Sequence, residues 1–372
     1  MRGGEEYIEL AKTATQSGNW DEVVRLHGEG EVAIKQDCRM KEMLALALFM
    51  LGRYSEMLGI QGINNDNRMW VIARDLAAKD LTEKHSLVWY GPPLERIAYI
   101  SMVKDEDDII FTNLLWHYSL GFRKFVLVDN ISTDNTREEI ERFDGIFKDA
   151  TVIVMTDPII GYFQSEFTTA AFRVACSIWS NVDWVFPVDA DEFLCAERAL
   201  GEILADVPET VNAILLPKTQ YAATREFYSM ERELPLFRKF RHRERLSHNS
   251  CKVVVRGHPI LEIGQGNHMV KFRGQDIKSY TGGLSLGLHY REFFLRSLEH
   301  TRKKVINGGR AIEAAEALGK KNIGGDHWKG WYGIYKESGE SAVESIFQSH
   351  FRSARDLIND PLPIGAVVSR WL

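Results

Sequence analysis

The chain has little of several things that would fix its class at once. It holds four cysteines among 372 residues, Cys38, Cys176, Cys195 and Cys251, with no CxxC pair. Such spacing argues against a zinc cage or a disulfide scaffold and suits a reducing compartment. No apolar run nears the ~18 residues of a membrane span; the best lies around Leu44 to Leu51. The first residues, Met1 to Glu6, lead into no signal-type apolar stretch. A cytoplasmic protein is expected, with peripheral attachment at the inner membrane surface left open. Basic residues are outnumbered, 46 Lys and Arg against 52 Asp and Glu, for a net charge of −6. Nucleic-acid binding needs clustered excess Lys and Arg and is not expected. A Walker loop, a GxGxxG turn and an HExxH pair are also missing.

What is present is an ordinary globular composition, 45% apolar and 26% charged. The length exceeds the ~100–200 residues of one domain, so at least two are expected. Residues 1–88 read as helical and lack proline as far as residue 85. Gly18-Asn19-Trp20-Asp21-Glu22-Val23 aligns with Gly52-Arg53-Tyr54-Ser55-Glu56-Met57 at an offset of 34 residues, the tetratricopeptide period. In each copy an apolar helix precedes the glycine, which ends it. Two copies are few for such an array, so a third hairpin near Met69 to Leu81 or the next domain must support them. A small TPR-like helical domain fits recruitment of a protein partner or self-association. A boundary follows at Tyr90-Gly91-Pro92-Pro93.

From residue 95 strands and helices alternate. Ile97 to Val103, Phe125 to Val128, Thr151 to Met155 and Trp184 to Val188 read as strands. Asp107 to Leu120 and Gln164 to Ser180 read as helices. Thr136-x-x-Glu139 predicts a capping box at another helix start. This is an α/β domain with right-handed crossovers, in which ligands bind beyond the C-terminal ends of strands. Polar clusters stand at three such ends: Lys104 to Asp108, Asp129 to Asp134, and Asp189 to Glu192.

Two carboxylates at i and i+2 after a buried strand, Asp189 and Asp191, are costly unless paired. A hard divalent ion, Mg²⁺ or similar, is a natural partner, because it takes one or two carboxylates and fills the rest of its shell with phosphate and water. The alternative is a solvated loop that serves a helix N-terminus. The second cluster, Asp129 to Thr136, can accept hydrogen bonds from a base or ribose, or be a plain βα loop. His289 could add a third metal ligand or be a packed histidine. A helix expected over Glu292 to Ile306 puts Arg296, His300, Lys303 and Lys304 near one side. Gly308-Gly309-Arg310 is expected to break it, giving a mobile cationic segment that closes over a diphosphate.

Together these residues resemble the family 2 type of glycosyltransferase with the GT-A fold, a nucleotide-diphospho-sugar transferase with a Rossmann-like mixed sheet. The likeness is to a DxDE-F branch related to family 92. It spans residues 95–310 through Val103-Lys104-Asp105-Glu106, Trp116-His117-Tyr118, Val128 to Thr136, Gln164, Asp189-Ala190-Asp191-Glu192-Phe193 and His289-Tyr290. Residues 1–88 lie outside it, and residues 311–372 would form a C-terminal helical extension or lid. The resemblance implies an inverting hexosyl transferase using a nucleotide sugar, most often a UDP-sugar, and a glycan, glycolipid or glycoprotein acceptor. Its donor site would comprise Val103, Lys104, Asp105, Glu106, Asp129, Ser132, Asp134, Gln164, Asp189, Arg296 and Lys304. Asp189, Asp191 and His289 would hold Mn²⁺ or Mg²⁺, with Asp191 also catalytic. The usual downstream acidic pair is not evident, so Glu226, Glu231, Glu233 and His268 stand as candidate bases. Two other readings compete. A nucleotidyltransferase would want a glycine-rich basic loop where Lys104 to Asp108 stands. A catalytically inactive helical-repeat adaptor would not need Asp189 and Asp191.

Overall fold

The computed structural model describes residues 4–63, 68–78, 86–225, 236–244, 251–320 and 325–372. Six helices come first: α1 (Gly4–Gln16), α2 (Trp20–Glu29), α3 (Val32–Gln36), α4 (Cys38–Met50), α5 (Tyr54–Leu58) and α6 (Arg68–Ala78). The alternating part then runs β1 (Ile97–Val103), α7 (Ile110–Ser119), β2 (Lys124–Asp129), α8 (Thr136–Ile146), β3 (Thr151–Thr156), α9 (Gln164–Ile178) and β4 (Trp184–Pro187). After it come β5 (Glu192–Ala196), α10 (Leu200–Ala205), β6 (Ala213–Gln220), α11 (Leu236–Lys239), β7 (His242–Arg243) and β8 (Cys251–Arg256). Short strands β9 (Leu261–Ile263), β10 (Val270–Phe272), β11 (Gln275–Asp276) and β12 (Tyr280–Gly282) lead to β13 (Leu288–Glu292). The chain closes with α12 (Leu298–Ala317), α13 (Asp326–Ser338), α14 (Glu340–Ser349), β14 (Ile358–Asn359) and α15 (Ile364–Trp371).

The main sheet has the order β3-β2-β1-β4-β8-β6-β13-β5, with β12 beside β6. Its first four strands are parallel, as the strand–helix spacing predicts. Strand β8 then enters antiparallel to both β4 and β6, and β13 runs antiparallel to β5 and parallel to β6. The sheet is therefore mixed. Burial follows the two-residue period of a sheet covered on both faces. Tyr99, Phe125, Leu127, Trp184, Phe186, Ile214, Leu216 and Val254 join one core with α7 and α8. Ala98, Ile100, Val126, Val128, Val185, Ala213, Leu215, Val253 and Val255 join the other.

That second core also holds Leu44, Leu48, Phe49, Tyr54, Met57, Trp70 and Ile72. The N-terminal helices thus share apolar burial with the sheet instead of standing apart as an array. The two matched glycines do make the same turn, at φ +70° for Gly18 and +71° for Gly52. The helices that follow differ: α2 has 10 residues and α5 only 5. Helix α6 reaches the far side of the sheet, where the Asp75 carboxylate accepts the Leu284 amide at 2.6 Å and also that of Ser285.

Two local expectations are corrected. The capping box does not form, because the Thr136 amide and hydroxyl both donate to Asp134, at 2.9 and 2.5 Å. Nor does Gly308-Gly309 break a helix: α12 starts at Leu298, later than expected, and runs unbroken through both glycines to Ala317. A Cβ on Gly309 would stand 2.1 Å from Tyr332 Cγ, and one on Gly308 3.0 Å from the Trp328 ring. The glycines let α13 approach α12 closely, and that packing outweighs their poor helix propensity.

Candidate functional site

The C-terminal tips of β1, β2 and β4 meet α12 around a cavity of about 310 Å³. The register sets Val103 beside Asp129, so the β1 and β2 loops leave the sheet together. They are then tied to each other. Lys104 Nζ donates to the carbonyls of Asn130 and Ile131, at 2.9 and 2.8 Å. Asp105 sits in the left-handed region at φ 54° and accepts the Thr133 amide at 2.6 Å. Its other oxygen accepts Asn307 Nδ2 of α12 at 2.7 Å. The left-handed turn at Asp105 costs energy for a residue with a Cβ, and these contacts hold it.

Asp189 and Asp191 lie on the cavity wall directly after β4. Asp189 accepts Asn267 Nδ2 at 2.9 Å, Gln164 Nε2 at 3.2 Å, and the Lys252 ammonium. Asp191 accepts the Lys304 ammonium, with Arg296 at 4.0 Å. Burial pulls the Asp191 carboxyl up, but Lys304 and Arg296 outweigh it and hold the group below its ordinary value. Burial likewise disfavours the Lys304 ammonium, and Asp191 with Glu106 overcomes it, so the pair is ionic.

The strands that enter β4's neighbourhood bring a second set of charges. Lys252 on β8 and Lys218 on β6 point into a cluster with Glu192 and Glu292. The two glutamates face each other across the β5–β13 pair. Lys218 Nζ donates to Glu292 Oε1 at 2.7 Å, and Gln220 Nε2 to Oε2 at 2.6 Å. Glu192 is fully buried, and burial pushes its carboxyl up to about 8. The charges explain why: Asp189, Glu192 and Glu292 are three carboxylates against two ammoniums, so one bound proton makes the cluster neutral. Burial also pulls His268 down to about 4, with Lys252 adding to the effect. Its Nδ1 contacts the Cys251 carbonyl at 2.9 Å, which assigns the proton there and leaves Nε2 as an acceptor.

The cavity gathers Val103, Lys104, Asp105, Glu106, Gln164, Asp189, Asp191, His268 and Lys304 of the expected residues. Others support it from behind. Asp129 accepts the Ser132 amide and hydroxyl, and Asp134 accepts Lys303 at 2.7 Å. Arg296 is wholly buried, clasping Asp108 and Glu106, and does not line the cavity. His289 is misplaced for a ligand. Strand alternation puts it with Arg291, on the face opposite Glu292, and Arg291 turns to Asp360. Among the described residues no three His, Cys, Asp or Glu side chains cluster as metal ligands. Glu226, Glu231 and Glu233 lie outside the described residues.

Sequence reading missed Lys218, Lys252, Glu292 and the aromatic residues Tyr162, Phe294 and Trp328, all on the cavity wall. A signal existed for two of them. Lys252 opens the otherwise apolar Val253-Val254-Val255 run, and Lys218 ends Ile214-Leu215-Leu216-Pro217. A charge built into a buried strand needs a partner. Gly283-Leu284-Ser285-Leu286-Gly287 matches the GxSxG pattern of hydrolases, but Ser285 lies in a strand-to-strand turn with its hydroxyl given to the Gly282 carbonyl. That is not the strand-to-helix elbow which such a nucleophile needs.

No protein-family model matches the chain, and no curated protein does. Several solved structures are similar to it. A mannosyltransferase from Pyrobaculum calidifontis in complex with GDP-Man and Mn²⁺ is 15% identical over 89% of this chain and 90% of that one, with a TM-score of 0.36. Staphylococcus aureus TarS 1–349 in complex with UDP is 12% identical over 57% of this chain, with a TM-score of 0.33, and the match spans 65% of that chain. Glucosyl-3-phosphoglycerate synthase from Mycobacterium tuberculosis, in complex with Mn²⁺, UDP and glucosyl-3-phosphoglycerate, is 14% identical over 50% of this chain and 61% of that one, with a TM-score of 0.24. Likeness at this level is too slight to transfer a property from one chain to another.

Proposed function

We propose that the chain is a metal-dependent, inverting glycosyltransferase that moves a sugar from a nucleotide sugar, a UDP-sugar, to a hydroxyl of a glycan or lipid-linked acceptor. The observation that carries this reading is the arrangement of Asp189 and Asp191. Both stand at a strand end, face one cavity, and are each met by a lysine ammonium. A diphosphate is bound by such cations, and Lys303 and Lys304 reach the cavity from one helix.

The two aspartates offer the hard oxygen donors that a divalent ion takes, since both reach the cavity; the ion would take the place that the Lys252 and Lys304 ammoniums hold on them. Such an ion needs only one or two carboxylates from the protein. Asp189 and Asp191 would hold Mn²⁺ or Mg²⁺, which when bound neutralises charge on a leaving diphosphate. Lys304 and Lys252, released from the aspartates by the ion, would add positive charge at the same end of the cavity, where it stabilises negative charge. The tied loops at Asp105 and Asn130 would take the nucleoside.

The acceptor hydroxyl must lose a proton. Beyond the two aspartates, Glu292 and His268 also line the cavity. Burial and the neighbouring Lys252 make His268 a poor proton acceptor, so Glu292, oriented by Lys218 and Gln220, is the base we propose. A nucleotidyltransferase has less support: the loop after β1 is acidic, and Lys104 is spent on two carbonyls. An adaptor without chemistry has less support too, since it has no use for this buried charge.

The test is nucleotide release from a panel of UDP- and GDP-sugars with Mn²⁺. Release from at least one donor, reduced about 10²-fold or more in Asp191→Asn, is expected. Failure of every donor, or an unchanged rate in the variant, refutes the proposal.

A further inference from the structure

Trp328, Phe294 and Tyr162 stand on the wall of the same cavity, brought there from three distant parts of the chain. Resting on the function proposed above, we infer that this aromatic wall is the acceptor subsite and that it takes the ring of a neutral sugar.

The wall is built in advance. The Trp328 indole lies against Gly308 and Gly325, where an added Cβ would stand 3.0 and 3.1 Å from it. Trp331 meets it edge-on, with centroids 5.2 Å apart and planes at 89°. Phe294 lies at 5.8 Å and His327 at 4.5 Å. A ring wedged between two glycines and three aromatic neighbours keeps its orientation, so a ligand need not order it.

The chemistry selects the ligand. An aromatic face carries negative quadrupole charge, and the C–H-bearing face of a pyranose is apolar with a slight positive character. Polar groups beside the wall suit the sugar's hydroxyls: Glu292 is two residues from Phe294 on the same segment, and Lys218 is bonded to it. An alkyl chain would bury these charged groups without hydrogen bonds, at a cost. A charged sugar is not favoured either. The cavity's five lysines, Lys104, Lys218, Lys252, Lys303 and Lys304, are matched by Asp105, Glu106, Asp189, Asp191 and Glu292. A donor sugar arrives tethered to a diphosphate and is held through it. An acceptor has no such tether and needs an apolar surface of its own.

The experiment saturates the full-length protein with UDP and Mn²⁺. It then titrates methyl glucoside, methyl galactoside, methyl mannoside, N-acetylglucosamine and 1-octanol, followed by tryptophan fluorescence and saturation-transfer NMR. At least one glycoside is expected to bind beside UDP, about tenfold more weakly in Trp328→Ala. Trp328→Leu keeps apolar packing on Gly308 but has no π face; it should lose affinity equally, and Trp328→Phe should regain most of it. In turnover, the acceptor KM rises more than kcat falls. Binding of octanol alone, of no glycoside, or of a glycoside with equal affinity in the leucine variant overturns the inference. Glycoside binding without turnover of any nucleotide sugar would instead refute the function and leave the wall standing.

Discussion

The same substitution, glycine to alanine, should have opposite effects at Gly309 and Gly333, two positions in α12 and α13, the helices whose other residues roof the cavity. In a helix interior the change stabilises by roughly 1 kcal/mol, because alanine loses less backbone freedom on folding. At Gly333 in α13 an added methyl meets nothing within 4 Å, so the full gain is expected. At Gly309 in α12 the methyl would stand 2.1 Å from Tyr332 Cγ, 2.2 Å from its Cβ and 2.4 Å from Cδ1. Carbon atoms in contact lie about 3.5–4 Å apart, so α13 must shift by an ångström or more. The Cβ and Cγ of Tyr332 lie close to its backbone and cannot swing aside. Overpacking of this kind costs about 1–3 kcal/mol, which exceeds the propensity gain. Gly309→Ala should therefore be net destabilising by up to about 2 kcal/mol, and Gly333→Ala stabilising by roughly 1. Urea midpoints followed by circular dichroism would resolve the difference. Trp328 precedes Tyr332 by one helical turn, so Gly309→Ala should also disturb binding at the aromatic wall while Gly333→Ala should not. A Gly309→Ala chain as stable as Gly333→Ala would show that the two helices do not approach as described, and the roof would have to be redrawn.

Three further outcomes follow from the buried charges. Glu292→Gln should lower turnover by about 10²-fold or more and His268→Gln by much less, read as nucleotide release at saturating acceptor; the reverse order would move the base to His268. Lys252→Met should destabilise by about 3 kcal/mol in urea, since it leaves Asp189 without its cation; a loss under about 1 kcal/mol would deny that pairing. Glu192 is raised by burial from 4.5 to about 8. A carboxyl that gains proton affinity on folding favours the folded state fully below its unfolded value, and that favour is lost as pH rises through the folded value. Stability should therefore fall between about pH 5 and 8, by a few kcal/mol at most, and Glu192→Gln should flatten the slope; a slope unchanged in that variant would assign the proton elsewhere.

Local order was legible where the signal is local. The apolar runs Ile97 to Val103 and Phe125 to Val128, the strand leading to Asp189, and the turn glycines Gly18 and Gly52 all depend on residues a few positions apart. Apolar periodicity and left-handed turns are local physics, and the structure reproduces these elements within a few residues. Gly308-Gly309 misled for the same reason: locally it reads as a helix breaker, and only Trp328 and Tyr332 reveal it as a contact.

What the sequence determined by itself is the first half of the sheet, the polar ends of its strands, and the placing of Asp189 and Asp191 after β4. Tertiary structure decided the rest of the site. The insertion of antiparallel β8 beside β4 set Lys252 against Asp189, and the β5–β13 pairing set Glu292 opposite Glu192. The sheet face turned His289 away from the cavity. Lys252 and Asp189 are 63 positions apart, and no pattern along the chain encodes such partnerships. Buried charge must find an opposite charge, here Lys218 and Lys252 among the carboxylates, and only the folded sheet brings one within reach.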